Sequence, residues 1–153
     1  MGPGSRSNFT NEEKTMSNGS GTSVVPLVGR ILMSIIFLGS GLTKVAMFSG
    51  MTQYVAAKHL PLPAVSLALA AAVEIFGGLA VLVGFRARIV AWLLFLYLIP
   101  TTVVFHNFWA MTGAEQMDNQ VHFLKNVAIM GGLLFLAAFG PGAFSIDNRK
   151  TAA

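Results

Sequence analysis

The chain has 153 residues, 54% of them hydrophobic and 10% charged, with a formal charge of +4 and no cysteine. So few charges cannot cover a water-facing surface, where about 25% is usual, and a mean hydropathy of +0.68 makes lipid the natural solvent. The basic residues are scattered singly, which excludes a nucleic-acid footprint, and the missing cysteines exclude disulfides, iron–sulfur clusters and thiolate metal sites within this polypeptide.

Residues 1–23 are rich in Ser, Asn, Gly and Thr without periodicity, so a disordered polar tail is expected there. Its opening Met1-Gly2-Pro3-Gly4-Ser5 reads as a cloning remnant, and no apolar region resembling a cleaved signal precedes the first span. A transmembrane domain over residues 24–143 follows, with apolar spans at about 24–48, 64–84, 89–105 and 121–139. Each is close to the roughly 20 residues needed to cross a bilayer. The breaks have chemical causes. Pro61 and Pro63 end the first connection, Gly84-Phe85-Arg86-Ala87-Arg88 is a tight charged turn, and Gly140-Pro141-Gly142 stops the last span. A short polar tail, 144–153, closes the chain. The fold class is all-α, a four-transmembrane-helix bundle.

Positively charged loops stay in the cytoplasm. Arg6, Lys14, Arg86, Arg88, Arg149 and Lys150 share one side with Arg30 near it, while the other side has Lys58 with Glu115 and Asp118. Both termini are therefore expected to be cytoplasmic, in a multi-pass protein of a bacterial inner membrane.

An ionisable group inside a span costs a few kcal/mol, so each needs a partner, water or an escape to the interface. Arg30, Ser34, Gly41 and Lys44 fall on one stripe of the first span, and Glu74 lies near the middle of the second among Ala70, Ala71, Gly77 and Gly78. Thr102, His106 and Trp109 share a side of the third span, and His122, Lys125 and Asn126 a side of the fourth. Together they predict a polar cavity open to the non-cytoplasmic side with Glu74 at its floor. Plainer readings stand beside it: Glu74 in a structural ion pair with Lys44 or Arg30, the two histidines and Lys125 as interfacial residues, Arg30 as a headgroup anchor, and Trp92, Trp109 and Tyr97 as belt or packing residues. Pro100 is expected to kink the third span, with the adjacent threonines helping to satisfy the freed backbone.

Gly29-Arg30, Phe37-Leu38-Gly39-Ser40-Gly41-Leu42-Thr43-Lys44, Glu74-Ile75-Phe76-Gly77-Gly78-Leu79 with Gly84 and Arg88, His106-Asn107-Phe108-Trp109, Phe123-Leu124-Lys125-Asn126, Gly140-Pro141-Gly142 and Ser145-Ile146-Asp147 occur in that order. In sequence and spacing this set, from Val28 to Asp147, resembles the DoxX family. The resemblance implies a four-helix membrane domain and an oxidoreductase subunit working with quinone. Glu74, His106 and His122 become candidate catalytic residues, and Lys44, Trp109, Lys125 and Asn126 candidate ligand-binding residues. Sulfur chemistry would fall to a partner chain.

Three functional classes follow. The leading one is a quinone-linked redox subunit with a soluble redox partner protein. The second is a non-enzymatic binder or carrier of a small lipophilic or anionic solute. The third is a scaffold docking soluble redox enzymes at Arg86 and Arg88. No haem attachment motif, recognised metal-ligand spacing or nucleotide loop is present. Gly-rich faces at Ala80 and Gly84 or at Gly131 and Gly132 suit a homo-oligomer.

Overall fold

The computed structural model describes residues 24–151, so the expected N-terminal tail, with Arg6 and Lys14, lies outside the described residues. Six α-helices make up almost all of it: α1 Val25–Ala46, α2 Phe48–Ala57, α3 Pro63–Val83, α4 Ala87–Phe105, α5 Gly113–Phe139 and α6 Ile146–Thr151. A 3-10 turn, Phe108–Ala110, joins α4 to α5. Helices α1, α3, α4 and α5 have the length and apolarity to cross a membrane, and only 22–28% of the most apolar stretch of each is buried inside the protein. Much of the rest, including Phe76, Phe135 and Phe139, faces outward, as a lipid solvent requires.

Proline stands in the first turn of both α1 and α3, where a missing N–H costs nothing. At the other end of α3, Gly84 takes the left-handed conformation (φ +67°), its N–H bonding to the Val81 carbonyl and that of Phe85 to the Ala80 carbonyl. These bonds form a Schellman stop. Two boundaries differ from the sequence reading. The first connection contains α2, and α5 begins at Gly113 rather than near residue 121. In both places hydropathy follows the apolar stretch, whereas helix continues through polar residues with adequate helical propensity.

Helices α1 and α3 pack closely because small residues meet. A side chain at Gly41 would press on Ile75, the Ala71 carbonyl and Glu74, and one at Gly78 on Phe37 and Leu38. Gly77 admits the Leu94 side chain of α4. Phe37, Val81, Leu94, Leu98 and Leu133 then form an apolar core in the half of the bundle that holds the Gly84–Arg88 turn.

That end is closed by a clasp. Arg30, expected as a headgroup anchor, is only 2% exposed, and its guanidinium donates to the Phe144 carbonyl while lying against Gly84. The Asp147 carboxylate accepts the Arg86 and Ala87 N–H groups at 2.7 and 2.8 Å, and the Asp147 N–H donates to the Gly84 carbonyl at 3.0 Å. An anion thus caps the start of α4, whose open N–H groups favour negative charge. Residues 144–147 of the expected polar tail are docked by these bonds. Gly84→Ala should lower stability in detergent by about 1–2 kcal/mol from the left-handed backbone alone, and more if Arg30 is displaced. Thermal unfolding of the purified variant measures the loss.

Candidate functional site

The site starts from Gly41. Because Gly41, one turn before Lys44 on α1, has no Cβ, α3 approaches α1 closely enough to bury Glu74, which is 4% exposed. Lys44 Nζ donates to Glu74 Oε2 at 2.7 Å and to Oε1 at 3.0 Å, and its third bond goes to Ser40 Oγ at 2.7 Å. From α4, the Tyr97 hydroxyl donates to Glu74 Oε1 at 2.8 Å. Of the two ion-pair partners open to Glu74 from sequence, the structure selects Lys44; Arg30 belongs to the clasp. A buried pair gains only when further hydrogen bonds complete it. Ser40 and Tyr97 supply them.

A second polar cluster lies toward the opposite end from the clasp. Helix α4 stops at His106, whose ring stacks on His122 with centroids 5.2 Å apart. Asn119 holds His106: its amide nitrogen donates to the Glu115 carbonyl, so its oxygen faces His106 Nδ1 at 3.2 Å and that nitrogen carries the proton. Lys125 Nζ lies 3.1 Å from His122 Nδ1. An ammonium only donates, so this nitrogen accepts. His122 Nε2 is 3.6 Å from the exposed Asp118 carboxylate. Asn126, buried, donates to Thr102 Oγ1 at 3.1 Å and ties α5 to α4.

Both clusters open into one cavity of about 610 Å³, walled by apolar residues such as Ile36, Leu67, Val104 and Phe105. Helix α2 covers one flank with Met51, Tyr54 and Val55. The volume falls within the roughly 300–1,000 Å³ of small-molecule sites. Lys44, Glu74, His106, His122, Lys125 and Asn126 all line it. Trp109 does not. It is 56% exposed on the 3-10 turn, edge-on to Phe108 and Phe123. Extrapolating helical spacing from His106 to Trp109 fails because the backbone leaves the helix at His106 (φ −125°, ψ 42°). Pro100 also lines the cavity, within an uninterrupted α4, and the Thr101 hydroxyl donates to the Tyr97 carbonyl at 2.9 Å. The carbonyl that Pro100 frees is that of Leu96, so Thr101 serves its neighbour instead.

Sequence reasoning missed Tyr97, Ser40, Asn119 and Tyr54. For Tyr97 a signal existed, since a phenol deep in an apolar span must find a polar partner. Tyr54 gave none until α2 was placed. There, burial and then the Glu115 charge push its phenol above the ordinary range, so it stays protonated.

Four crossing helices around an ion-paired, apolar-walled cavity define a multi-pass membrane protein. The chain belongs to the DoxX family, which matches residues 25–107. It is 37% identical over 131 residues to inner membrane protein YphA of Escherichia coli, covering 86% of this chain and 94% of that protein. It is 40% identical over 127 residues to inner membrane protein YqjF of the same organism, covering 81% and 92%. A shorter similarity, 33% over 72 residues, links 46% of the chain to 24% of the Surfeit locus protein 4 homolog of Schizosaccharomyces pombe. No solved structure matches the chain. With these relatives and four crossing helices, the protein is a multi-pass inner-membrane protein.

Removing one partner of a buried pair leaves a bare charge. Lys44→Met should therefore destabilise the detergent-solubilised protein by about 3–5 kcal/mol. Adding Glu74→Gln to it should recover much of that loss, and comparing the melting temperatures of the single and double variants checks both.

Proposed function

We propose that this chain is the quinone-linked subunit of a membrane redox system and holds a quinone-type headgroup in the cavity between Glu74 and the His106–His122 stack. The observation that carries the reading is an apolar-walled cavity that touches both polar clusters. When bound, such a headgroup supplies two-electron, two-proton chemistry, with the electrons exchanged through a separate redox partner protein. The residues of this chain do the rest. The Ile36, Leu67, Val104 and Phe105 side chains exclude water and receive the ring. Lys125 holds an oxygen at the mouth. His122, between Lys125 and the exposed Asp118, moves a proton between cavity and surface. Glu74 and Tyr97 form the polar floor.

The orientation belongs to this proposal too. Arg86, Arg88 and Arg149 gather at the clasp end, so that end and both termini are cytoplasmic and the cavity opens on the other side. In each of two competing readings one of the basic residues is engaged within the protein. For a carrier of an anionic solute, Lys44 is already committed to Glu74 and Ser40, which leaves Lys125 as the cation on the cavity wall. For a scaffold docking at Arg86 and Arg88, the Arg88 guanidinium is drawn to the Ala138 carbonyl at 3.0 Å.

Mass spectrometry and visible absorption of protein extracted in mild detergent from native-like membranes test the reading. Quinone should co-purify with the wild type and with Arg86→Ala, and fall at least about tenfold in Glu74→Gln and His106→Ala, the loss expected when a site group is left unpaired. Wild-type protein that carries some other small molecule, or only a partner chain, would reject the redox assignment.

A further inference from the structure

The hydrogen-bond inventory of the cavity is lopsided. At the floor, Lys44 has three N–H bonds and spends them on Ser40 and the two Glu74 oxygens. The Tyr97 proton goes to Glu74 Oε1, and the Thr101 proton to the Tyr97 carbonyl. Around Glu74 only the Ser40 hydroxyl keeps a proton, on an oxygen already turned toward an ammonium, while the second N–H of Asn126 sits at the level of Thr102, more than a turn of α4 beyond Tyr97. Acceptors are in surplus. A carboxylate has about four lone-pair sites, and Glu74 fills three, leaving Oε2 with one contact; the Tyr97 and Thr101 oxygens add lone pairs of their own. At the mouth the balance reverses, because Lys125 gives one proton to His122 and keeps two.

A carbonyl pushed to this floor would set lone pairs against lone pairs in a low-dielectric site, whereas a ring hydroxyl would complete the Glu74 shell. We infer that the cavity takes its ligand hydroxyl-first: Glu74 accepts the O–H of a lipophilic quinol or phenol at the floor, and Lys125 donates to an oxygen near the mouth. The inference rests on the quinone-type reading and narrows it to the reduced, hydroxyl-bearing form. A site built to pair a hydroxyl rejects the analogue that lacks it, because its own buried groups are then left bare.

The test uses the wild-type full chain in lipid nanodiscs and equilibrium binding of two probe pairs under anaerobic conditions. One pair is decylubiquinol and decylubiquinone. The other is an alkylphenol and its methyl ether, alike in shape and free of redox chemistry. The hydroxyl-bearing member of each pair should bind at least about tenfold tighter, as expected when a buried acceptor gains or loses its donor. Equal affinities, or tighter binding of the quinone, would overturn the hydroxyl-first inference while leaving a quinone site in place. If neither member of the quinone pair binds, this inference and the reading beneath it both fall.

Discussion

A carboxylate in the middle of a lipid-facing bundle has to be neutralised where it stands, and the Lys44–Glu74 pair is the constraint around which the bundle is arranged. Bringing the two charges together needs α1 and α3 in close approach, which Gly41 and Gly78 permit. Completing the pair needs Tyr97, so α4 is drawn to the same point. Helix α5 follows through the Asn126–Thr102 bond. A polar interaction thus sets the register of helices whose apolar surfaces, in lipid, have little preference of their own.

The two ends of the bundle are built for different purposes. At the clasp, Arg30, Gly84, Phe144 and Asp147 lock backbone to side chain and leave α4 capped. Below the ion pair, Phe37, Val81, Leu94 and Leu133 form a continuous apolar layer. Beyond it, the walls part around a cavity that reaches His106, His122 and Lys125. Hydrogen bonds and close packing are concentrated at one end and open volume at the other; on the proposed reading, protons and ligand exchange through the open end, past His122 and Asp118.

Much of this was legible in sequence, because the bilayer imposes strong rules on composition. The four spans, the turn at Gly84 and the stop at Gly140 follow from apolar length and from glycine and proline chemistry. The polar stripes brought Lys44, Glu74, His106, His122, Lys125 and Asn126 toward a common interior, since helical spacing holds within each helix. It fails where a helix ends, which is why Trp109 leaves the group, and it is silent on which stripes meet. Spacing alone left Glu74 between Lys44 and Arg30; only the Asp147–Phe144 clasp, formed by a segment that reads as a tail, shows why Arg30 is engaged elsewhere. Helix α2 is too short and too mildly apolar to announce itself, so Tyr54 went unassigned.

An ion-paired floor at the bottom of a cavity open at one end and sealed at the other gives the cavity wall one-sided access to water. Because the chain has no cysteine, a single Thr101→Cys substitution gives one reporter thiol on the cavity wall, addressable by a small membrane-impermeant reagent in right-side-out and inverted membranes. Labelling from the non-cytoplasmic side alone is the predicted result. Labelling from the cytoplasmic side, or from neither side in folded protein, would contradict the account.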